Sequence, residues 1–403
     1  MKEKQLPPAL RFSEFKGDWE PRKIGSFVTE RDERKESDAP LYSLTIEHGI
    51  TPKSQRYERA FLVKDESEAY KLMQPNDFAS NPMNLRFGAL ARNRTGTPVK
   101  VSRYYDIFFV DDSVSIEFVD EYLRSYKRIK FFDRMSTGSL EEKKRVHYRE
   151  FLKFQFLFPS VEEQEKIASF LGSVDEKISL LEKKRALLVQ YKKGVMQQIF
   201  SQQIRFKDDN GSDFPDWEEK RLDQIAKVSS GGTPLRTNPE YWGGQVPWVT
   251  TKEVDNNTIR DTEEKITELG LAKSSAKLYQ PGTILMAMYG QGKTRGKVAI
   301  LGIEASTNQA CASIGLKANS LPAYVFQFLR SRYEEIRRLA NEGGQQNLTG
   351  GLIKAIRVPC ADPKEQKKIA DFLSAIDEKI NLVGQQITHM RDFKKGLLQQ
   401  MFV

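Results

Sequence analysis

Tyr289-Gly290-Gln291-Gly292-Lys293-Thr294 follows a strand-like run, Thr283-Ile284-Leu285-Met286-Ala287-Met288, and ends as a phosphate-binding loop ends. In such a loop glycines turn backbone amides toward a nucleotide and the lysine reaches its phosphates. The pattern needs a glycine five residues before Gly292, where Ala287 stands. It also needs a following helix whose N-terminus faces the anion, whereas Arg295-Gly296-Lys297-Val298-Ala299-Ile300-Leu301 reads as a strand. Asn238-Pro239-Glu240-Tyr241 approximates the Asn-Pro-Pro-Tyr of amino-methyltransferases, but Glu240 replaces the second proline and no strand, glycine loop and helix precede it. Pro215-Asp216 with Glu218-Glu219-Lys220 holds the residue types of a metal-dependent nuclease, yet the two halves abut, and carboxylates of such a site come from different strands. Cys311 and Cys360 cannot build a disulfide framework, and His48, His147 and His389 are scattered, so no zinc-ligand spacing exists. The sequence therefore implies no catalytic centre and no metal site.

Binding chemistry is better represented. From Met83 to Tyr105 the chain carries Arg86, Arg92, Arg94, Lys100 and Arg103 without one acid, interleaved with Asn84 and Asn93 and preceded by Asn81. From Leu269 to Ile303 it carries Lys273, Lys277, Lys293, Arg295 and Lys297, again without an acid, with Gln291 and Thr294 alongside. Duplex DNA is read by Arg or Lys on guanine and Asn or Gln on adenine, and other cations hold phosphates. Arg86, Arg92, Arg94, Lys293 and Arg295 are the leading candidates, then Asn84, Gln291 and Thr294. The competing reading is a solvated basic face without a partner.

The elements that would position these stretches are written twice. Glu163-Gln164-Glu165-Lys166-Ile167-Ala168-Ser169-Phe170-Leu171 returns as Glu365-Gln366-Lys367-Lys368-Ile369-Ala370-Asp371-Phe372-Leu373, an offset of 202 residues that also relates Asp175 to Asp377, Lys192 to Lys394 and Phe200 to Phe402. A period of half the chain means two copies of one module. Ser160 with Glu163, and Asp362 with Glu365 after Pro363, are helix-start signatures of the capping-box type. Spacings of four and three then run through Ile167, Leu171, Val174, Ile178, Leu181 and Leu188, and through Ile369, Leu373, Ile376, Ile380, Val383, Ile387 and Met390. This is a heptad seam, interrupted by Arg185 and by the matched Lys192 and Lys394. About 37 residues make a rod on the order of 55 Å, and two equal rods most simply pack on each other as a coiled coil. Two core helices of an ordinary globular protein are the alternative.

Leu10-Arg11-Phe12 with Trp19-Glu20 is echoed by Ile204-Arg205-Phe206 with Trp217-Glu218, so each module opens on a similar lead-in. Trp19, Trp217, Trp242 and Trp248 read as packing anchors. The resulting order is a domain at 1–158, a helix at 159–202, a second domain at 203–358 and a second helix at 359–403. Strand-like runs such as Asp106-Ile107-Phe108-Phe109-Val110 and amphipathic segments such as Ala323 to Leu339 make both domains α+β. The 403 residues give each domain room for a core. Charged residues at 30% and a mean hydropathy of −0.57 describe a soluble, cytoplasmic protein without membrane span or signal core. A net charge of +9 favours a polyanionic partner.

Ser230-Gly231-Gly232-Thr233-Pro234, Pro239-Glu240-Tyr241-Trp242-Gly243-Gly244, Val246-Pro247-Trp248-Val249, Ser306-Thr307-Asn308-Gln309-Ala310-Cys311 and Asn347-Leu348-Thr349 resemble a target recognition domain from the specificity subunit of Type I restriction-modification systems. Tyr42-Ser43-Leu44 with His48-Gly49-Ile50, Asn81-Pro82-Met83-Asn84 and Arg86-Phe87-Gly88 resemble a second class of the same domain, without the Gly-Gly-Thr-Pro and Thr-Asn-Gln-Ala elements. The resemblance covers essentially the whole chain and adds Thr233 to the candidate DNA contacts. It implies two recognition domains in a pseudo-two-fold repeat, each reading half of a bipartite double-stranded target, with antiparallel rods setting the spacer. Half-sites on one face of a duplex lie about 34 Å apart, within reach of the rod. It further implies two methyltransferase subunits that use S-adenosylmethionine to methylate adenine, and restriction subunits driven by ATP with Mg²⁺, while this chain binds no cofactor and catalyses nothing. The alternatives are a tandem DNA-binding regulator and a coiled-coil scaffold without methylase partners.

Overall fold

The computed structural model describes residues 8–34, 37–53, 70–290, 293–339 and 347–402. The chain forms two compact units, Met1–Glu182 with Gln385–Val403 and Lys183–Gly384. The sequence boundaries at 158, 202 and 358 separate domains from helices, whereas the compact units cut through both helices. Each unit holds one domain, the front of its own helix and the back of the other.

In the first unit, β1 (Glu20–Lys23) pairs antiparallel with β10 (Gln155–Phe158). An antiparallel sheet runs in the order β2 (Val28–Glu30), β9 (Asp106–Val110), β6 (Phe78–Ser80), β7 (Leu90–Arg92). The hairpin β3 (Tyr42–Thr45) and β4 (Gly49–Pro52) packs beside it, next to the pair β5 (Tyr70–Met73) and β8 (Val99–Ser102). Gly49, at φ +65°, permits that approach, because a Cβ there would lie 3.1 Å from Ala91. Helices α1 (Ile116–Leu123) and α2 (Tyr126–Met135) follow; Ser115 caps α1 by accepting from the Phe118 amide. The core is aromatic, with Phe78 stacked on Phe108 at 5.4 Å and Phe118 stacked on Tyr122 at 5.1 Å.

In the second unit, β11 (Glu218–Arg221) pairs antiparallel with β20 (Arg357–Cys360) as β1 does with β10. A five-stranded sheet runs β12 (Ala226–Ser230), β19 (Cys311–Leu316), β16 (Ile284–Ala287), β17 (Val298–Leu301), β14 (Asn257–Ile259). A three-stranded sheet runs β15 (Glu264–Ile266), β13 (Trp242–Val249), β18 (Ser306–Thr307). Ala323 to Leu339 is helical as α4 (Pro322–Ser331) and α5 (Tyr333–Leu339); the long helix α3 (Val161–Phe200) precedes this domain and α6 (Pro363–Met401) closes the chain. At 40 and 39 residues the long helices are each about 60 Å.

The frame repeats contact for contact. Arg11 grips Glu163 through two bonds of 2.7 Å, and Trp19 donates to the same carboxylate at 3.3 Å. Arg205 grips Glu365 at 3.1 and 2.8 Å, with Trp217 donating at 2.7 Å. Ser160 still caps α3 through the Glu163 amide at 3.3 Å, but the Glu163 side chain does not reach back to complete a capping box. A bidentate guanidinium is the stronger partner for a buried carboxylate. Tyr122 donates to the Leu157 carbonyl and Tyr324 to that of Pro359, again 202 residues on. Phe402 packs on Tyr122 at 5.2 Å in the first unit, and Phe200 on Tyr324 at 5.7 Å in the second.

Within each unit the helix segments run antiparallel along a buried seam. Ile167, Leu171, Val174 and Leu181 are buried in the first, with Ile387 beside them and Ile178 and Met390 half-buried. Ile369, Leu373, Ile376, Ile380 and Val383 are buried in the second, with Leu188 half-buried. Each fully buried aliphatic contributes about 1.5–3 kcal/mol. The interrupting lysines are paired across the seam: Lys192 meets Asp377 at 2.5 Å in the second unit, and Lys394 meets Asp175 at 2.8 Å in the first. One slot of the repeat thus supplies the cation and another the anion in both units, and the two helices exchange these parts between units, which sets the antiparallel register.

Candidate nucleic-acid interface

The acid-free stretch of the first domain is not acid-free in space. Arg86 is only 7% exposed. It donates to Asp133 at 2.8 Å, to the Glu141 carbonyl at 2.9 Å and to the Glu141 carboxylate. It is a strut joining the turn Leu85–Phe87 to α2, with one bond from each of Nε, Nη1 and Nη2 made within the domain. Arg92 donates to Glu117 at 2.8 Å. Arg94 meets Asp120 at 3.0 and 2.6 Å, and Arg124 meets the same fully buried carboxylate at 3.4 Å. Burial works against the Arg94 charge, and the Asp120 carboxylate outweighs it, holding the guanidinium above its usual range. Arg94 remains half exposed on the rim of a 320 Å³ hollow shared with His48, Thr95 and Arg124.

The other candidates of this domain divide by exposure. Asn81 is half-buried and accepts from the Met83 amide at 3.1 Å, so its carbonyl oxygen shapes a turn. Asn84 is exposed at the start of the turn Leu85–Phe87. Asn93 is fully buried and donates to three backbone carbonyls. Lys100 is half-buried in β8. Asp120 was detectable in principle: it lies among Phe118, Val119, Tyr122 and Leu123 on an apolar helix face, where an acid requires a cationic partner.

In the second domain, two distant sequence motifs form one turn. Gly231 backs onto β18 so closely that a Cβ would stand 1.9 Å from the Thr307 carbonyl oxygen. The Gly232 amide donates to that oxygen at 2.9 Å, and Trp248 donates to the Gly232 carbonyl at 3.0 Å. The glycines thereby present Thr233, which donates to the side-chain oxygen of exposed Gln309. Gln309 is not among the candidates the sequence suggests, and could be found only by pairing Gly-Gly-Thr-Pro with Thr-Asn-Gln-Ala. Arg236 lies over Trp242 at 3.8 Å and is held by Glu264 at 2.8 Å, so Trp242 and Trp248 anchor this turn.

The loop between β16 and β17 carries Lys293, Thr294 and Arg295, while Gln291 lies outside the described residues. Tyr333 of α5 donates to the Lys293 carbonyl, leaving the lysine side chain exposed; Thr294 and Arg295 are half-buried. The loop leads into a strand and not a helix, so it lacks the amide-bearing helix end that a phosphate loop uses. Lys273 and Lys277 are exposed, whereas Lys297 is paired with Asp255. Asn238-Pro239-Glu240-Tyr241 is a capped turn, the Glu240 amide donating to Asn238 at 3.1 Å. Burial pushes the Cys311 thiol up to about 12, which disfavours its thiolate form. Among the described residues no group of His, Cys, Asp and Glu could hold a metal, and no helix is long and apolar enough to cross a membrane. The geometry offers two polar, partly cationic surfaces, one on the turn and sheet of each domain.

Residues 215–389 match the family described as the Type I restriction modification DNA specificity domain. The chain is 29% identical over 210 residues to the Type I restriction enzyme MjaIX specificity subunit of Methanocaldococcus jannaschii, an alignment covering 51% of this chain and 48% of that protein. It is 26% identical over 174 residues to the EcoR124I/EcoR124II specificity subunit of Escherichia coli, covering 42% and 43% respectively. The chain thus spans less than half the length of these two relatives. The fold matches the crystal structure of the S subunit of a Type I restriction-modification system from M. genitalium with a TM-score of 0.59 at 13% identity, over 99% of both chains. The family match is confined to residues 215–389, while the fold is shared with the M. genitalium S subunit along the length of the chain.

Proposed function

We propose that this chain, which carries a Type I restriction modification DNA specificity domain over residues 215–389, is the DNA-specificity subunit of a Type I restriction-modification complex. That domain match, set within a chain whose helical frame occurs twice, is the observation that carries the reading. Each domain reads one half of a bipartite duplex target, and the long helices set the unspecified spacer between the halves. Arg94, Asn84 and Lys100 serve the first half-site, and Thr233, Lys293, Thr294 and Arg295 the second. The chain is not itself an enzyme.

Two copies of a methyltransferase dock on the helices. This is supported by exposed apolar residues that recur at the repeat offset, Leu180 with Leu382 at 56% and 57% exposure, and Tyr191 with Phe393 at 52% and 50%. Apolar side chains at equivalent sites suit two copies of one partner. S-adenosylmethionine, ATP and Mg²⁺ belong to the methyltransferase and restriction subunits of this cytoplasmic assembly.

A genome-wide map of methylated adenine, made with and without this gene in a host carrying the methylase, tests the reading. A split motif with a fixed gap that appears only with the gene is expected. No gene-dependent motif would refute it, and tight duplex binding without methylation would favour a tandem regulator.

A further inference from the structure

The first unit contains a groove of 610 Å³ where its domain meets its helix pair. The apolar wall is unusually exposed: Ile46 at the tip of the β3–β4 hairpin is 50% accessible, Phe87 51% and Tyr126, which opens α2, 63%. Ile129, Ile178 and Leu398 complete the apolar surface. Arg94, Arg124, Lys127, Arg391, Lys394 and Lys395 line the same groove against only two acids, Glu121 and Asp175. Both acids are already engaged by Lys394, at 3.0 and 2.8 Å. Asp120 beneath Arg94 and Glu182 beside Arg391 reduce the positive excess without abolishing it.

The second unit does not repeat this chemistry. At the repeat offset Tyr126 becomes Phe328, which is buried, and Ile129 becomes Ser331. The corresponding cavity there is lined by Asn256, Asn257 and Thr258, and its two aromatic residues, Phe326 and Tyr333, are buried and half-buried and so form no exposed wall. A partner that needs the apolar wall would therefore occupy one site per chain, unlike the two-copy partner of the helices.

We infer that this groove docks one acidic amphipathic helix of a protein partner. An apolar wall backed by a cationic rim is the complement of a helix with apolar residues at i, i+3, i+4 and i+7 and carboxylates on its flanks. A DNA backbone would satisfy the rim but would leave Ile46, Phe87 and Tyr126 against phosphate and water, which gains nothing from them. The groove shares only Arg94 with the residues proposed to read DNA, and its apolar wall has no part in that role.

Its test is fluorescence anisotropy on the full chain with a labelled helical peptide of about 18 residues, one face leucine and both flanks glutamate. A matched peptide with lysine flanks serves as the comparison. The glutamate peptide is expected to bind at least about tenfold more tightly than the lysine peptide. Phe87→Ser and Tyr126→Ser are each expected to weaken it by about tenfold while duplex affinity, read in parallel, stays at the parental value. Equal binding of the two peptides, or variants that bind like the parent, would overturn the inference. So would variants that lose duplex affinity and keep peptide affinity, since the groove would then be a DNA surface.

Discussion

Asp377 and Asp175 occupy the same slot of the repeat, yet removing their carboxylates should have unequal consequences. Lys192 is 4% exposed, and among the described residues its ammonium meets, besides Asp377, the Gln327 side-chain oxygen at 2.8 Å. Arg330, 2.9 Å from the same carboxylate, would face Lys192 across an emptied site in Asp377→Leu. Breaking a buried pair by deleting one partner costs about 3–5 kcal/mol. The loss has a ceiling, because Lys192 can shed its proton. Burial already pulls its pKa down to about 8, with Arg330 acting in the same direction against the pull of Asp377. Neutralising a lysine of ordinary pKa at pH 7 costs about 5 kcal/mol, at roughly 1.4 kcal/mol per unit, so the ceiling lies near the top of the range. Asp175→Leu differs, because Lys394 is 19% exposed and keeps Glu121 at 3.0 Å. Losing one of two partners at such a site costs about 1 kcal/mol or less. Urea unfolding of the full-length variants, with hydrogen exchange followed in α4 for the second unit and α1 for the first, measures both. An Asp175→Leu loss equal to or greater than that of Asp377→Leu would refute the argument that burial and spare partners, not position in the repeat, set the energy.

Gly231→Ala should destabilise the second unit by about 1–3 kcal/mol or more, because its Cβ would collide with the Thr307 carbonyl. Gly350→Ala, where a Cβ meets nothing within 4 Å, should stay within about 0.5 kcal/mol by thermal denaturation. Since the folded pKa of Lys192 is lowered, the unfolded chain binds the extra proton between about pH 8 and 10.5. That residue's contribution to stability should accordingly rise with pH across the window, and the parent-minus-Lys192→Met difference in unfolding free energy should show that slope. Arg86→Ala should lower the melting temperature of the first unit through its lost ties to Asp133 and Glu141, whereas Lys293→Ala should leave melting unchanged. For Lys293→Ala, the slope of log duplex affinity against log salt should fall by about one.

The helical frame was legible because its signals are local or repeat in sequence. Caps, heptad spacing and lead-ins each announce themselves within a few residues, and the 202-residue offset supplies an internal comparison. The pairing of Lys192 with Asp377 was half legible: the lysines stood out as breaks in the seam, but their partners are fixed only once the helices run antiparallel. The interface was less legible because charge along a chain is not charge on a surface. Met83–Tyr105 looked uncompensated, yet Glu117, Asp120, Asp133 and Glu141 arrive from 25 to 55 residues downstream of their arginines. Gln309 illustrates the same limit, since β13 must first pair in parallel with β18 before its motif and Gly231-Gly232-Thr233 become one turn.

The contacts that repeat and those that do not separate two requirements on one chain. Glu163 and Glu365 each bind an arginine and a tryptophan from the lead-in; Gln164 and Gln366 each bind backbone at the start of a long helix and just ahead of a domain helix, α1 or α4. These residues fix how a domain is seated on its helix and make no reference to what the domain presents elsewhere. The Leu10 amide closes on the Gln400 carbonyl at 3.0 Å as the Ile204 amide does on that of Gln198 at 3.2 Å, so the lead-in enters both units alike, whether or not the preceding helix is covalently joined to it. The frame's geometry is thus specified by buried polar contacts whose loss leaves charges unsatisfied. The sheets it carries are free to differ, as the hairpin around Gly49 and the turn around Gly231 do. The proposed function uses that division, with constant seats on the helices and surfaces that vary between the two domains.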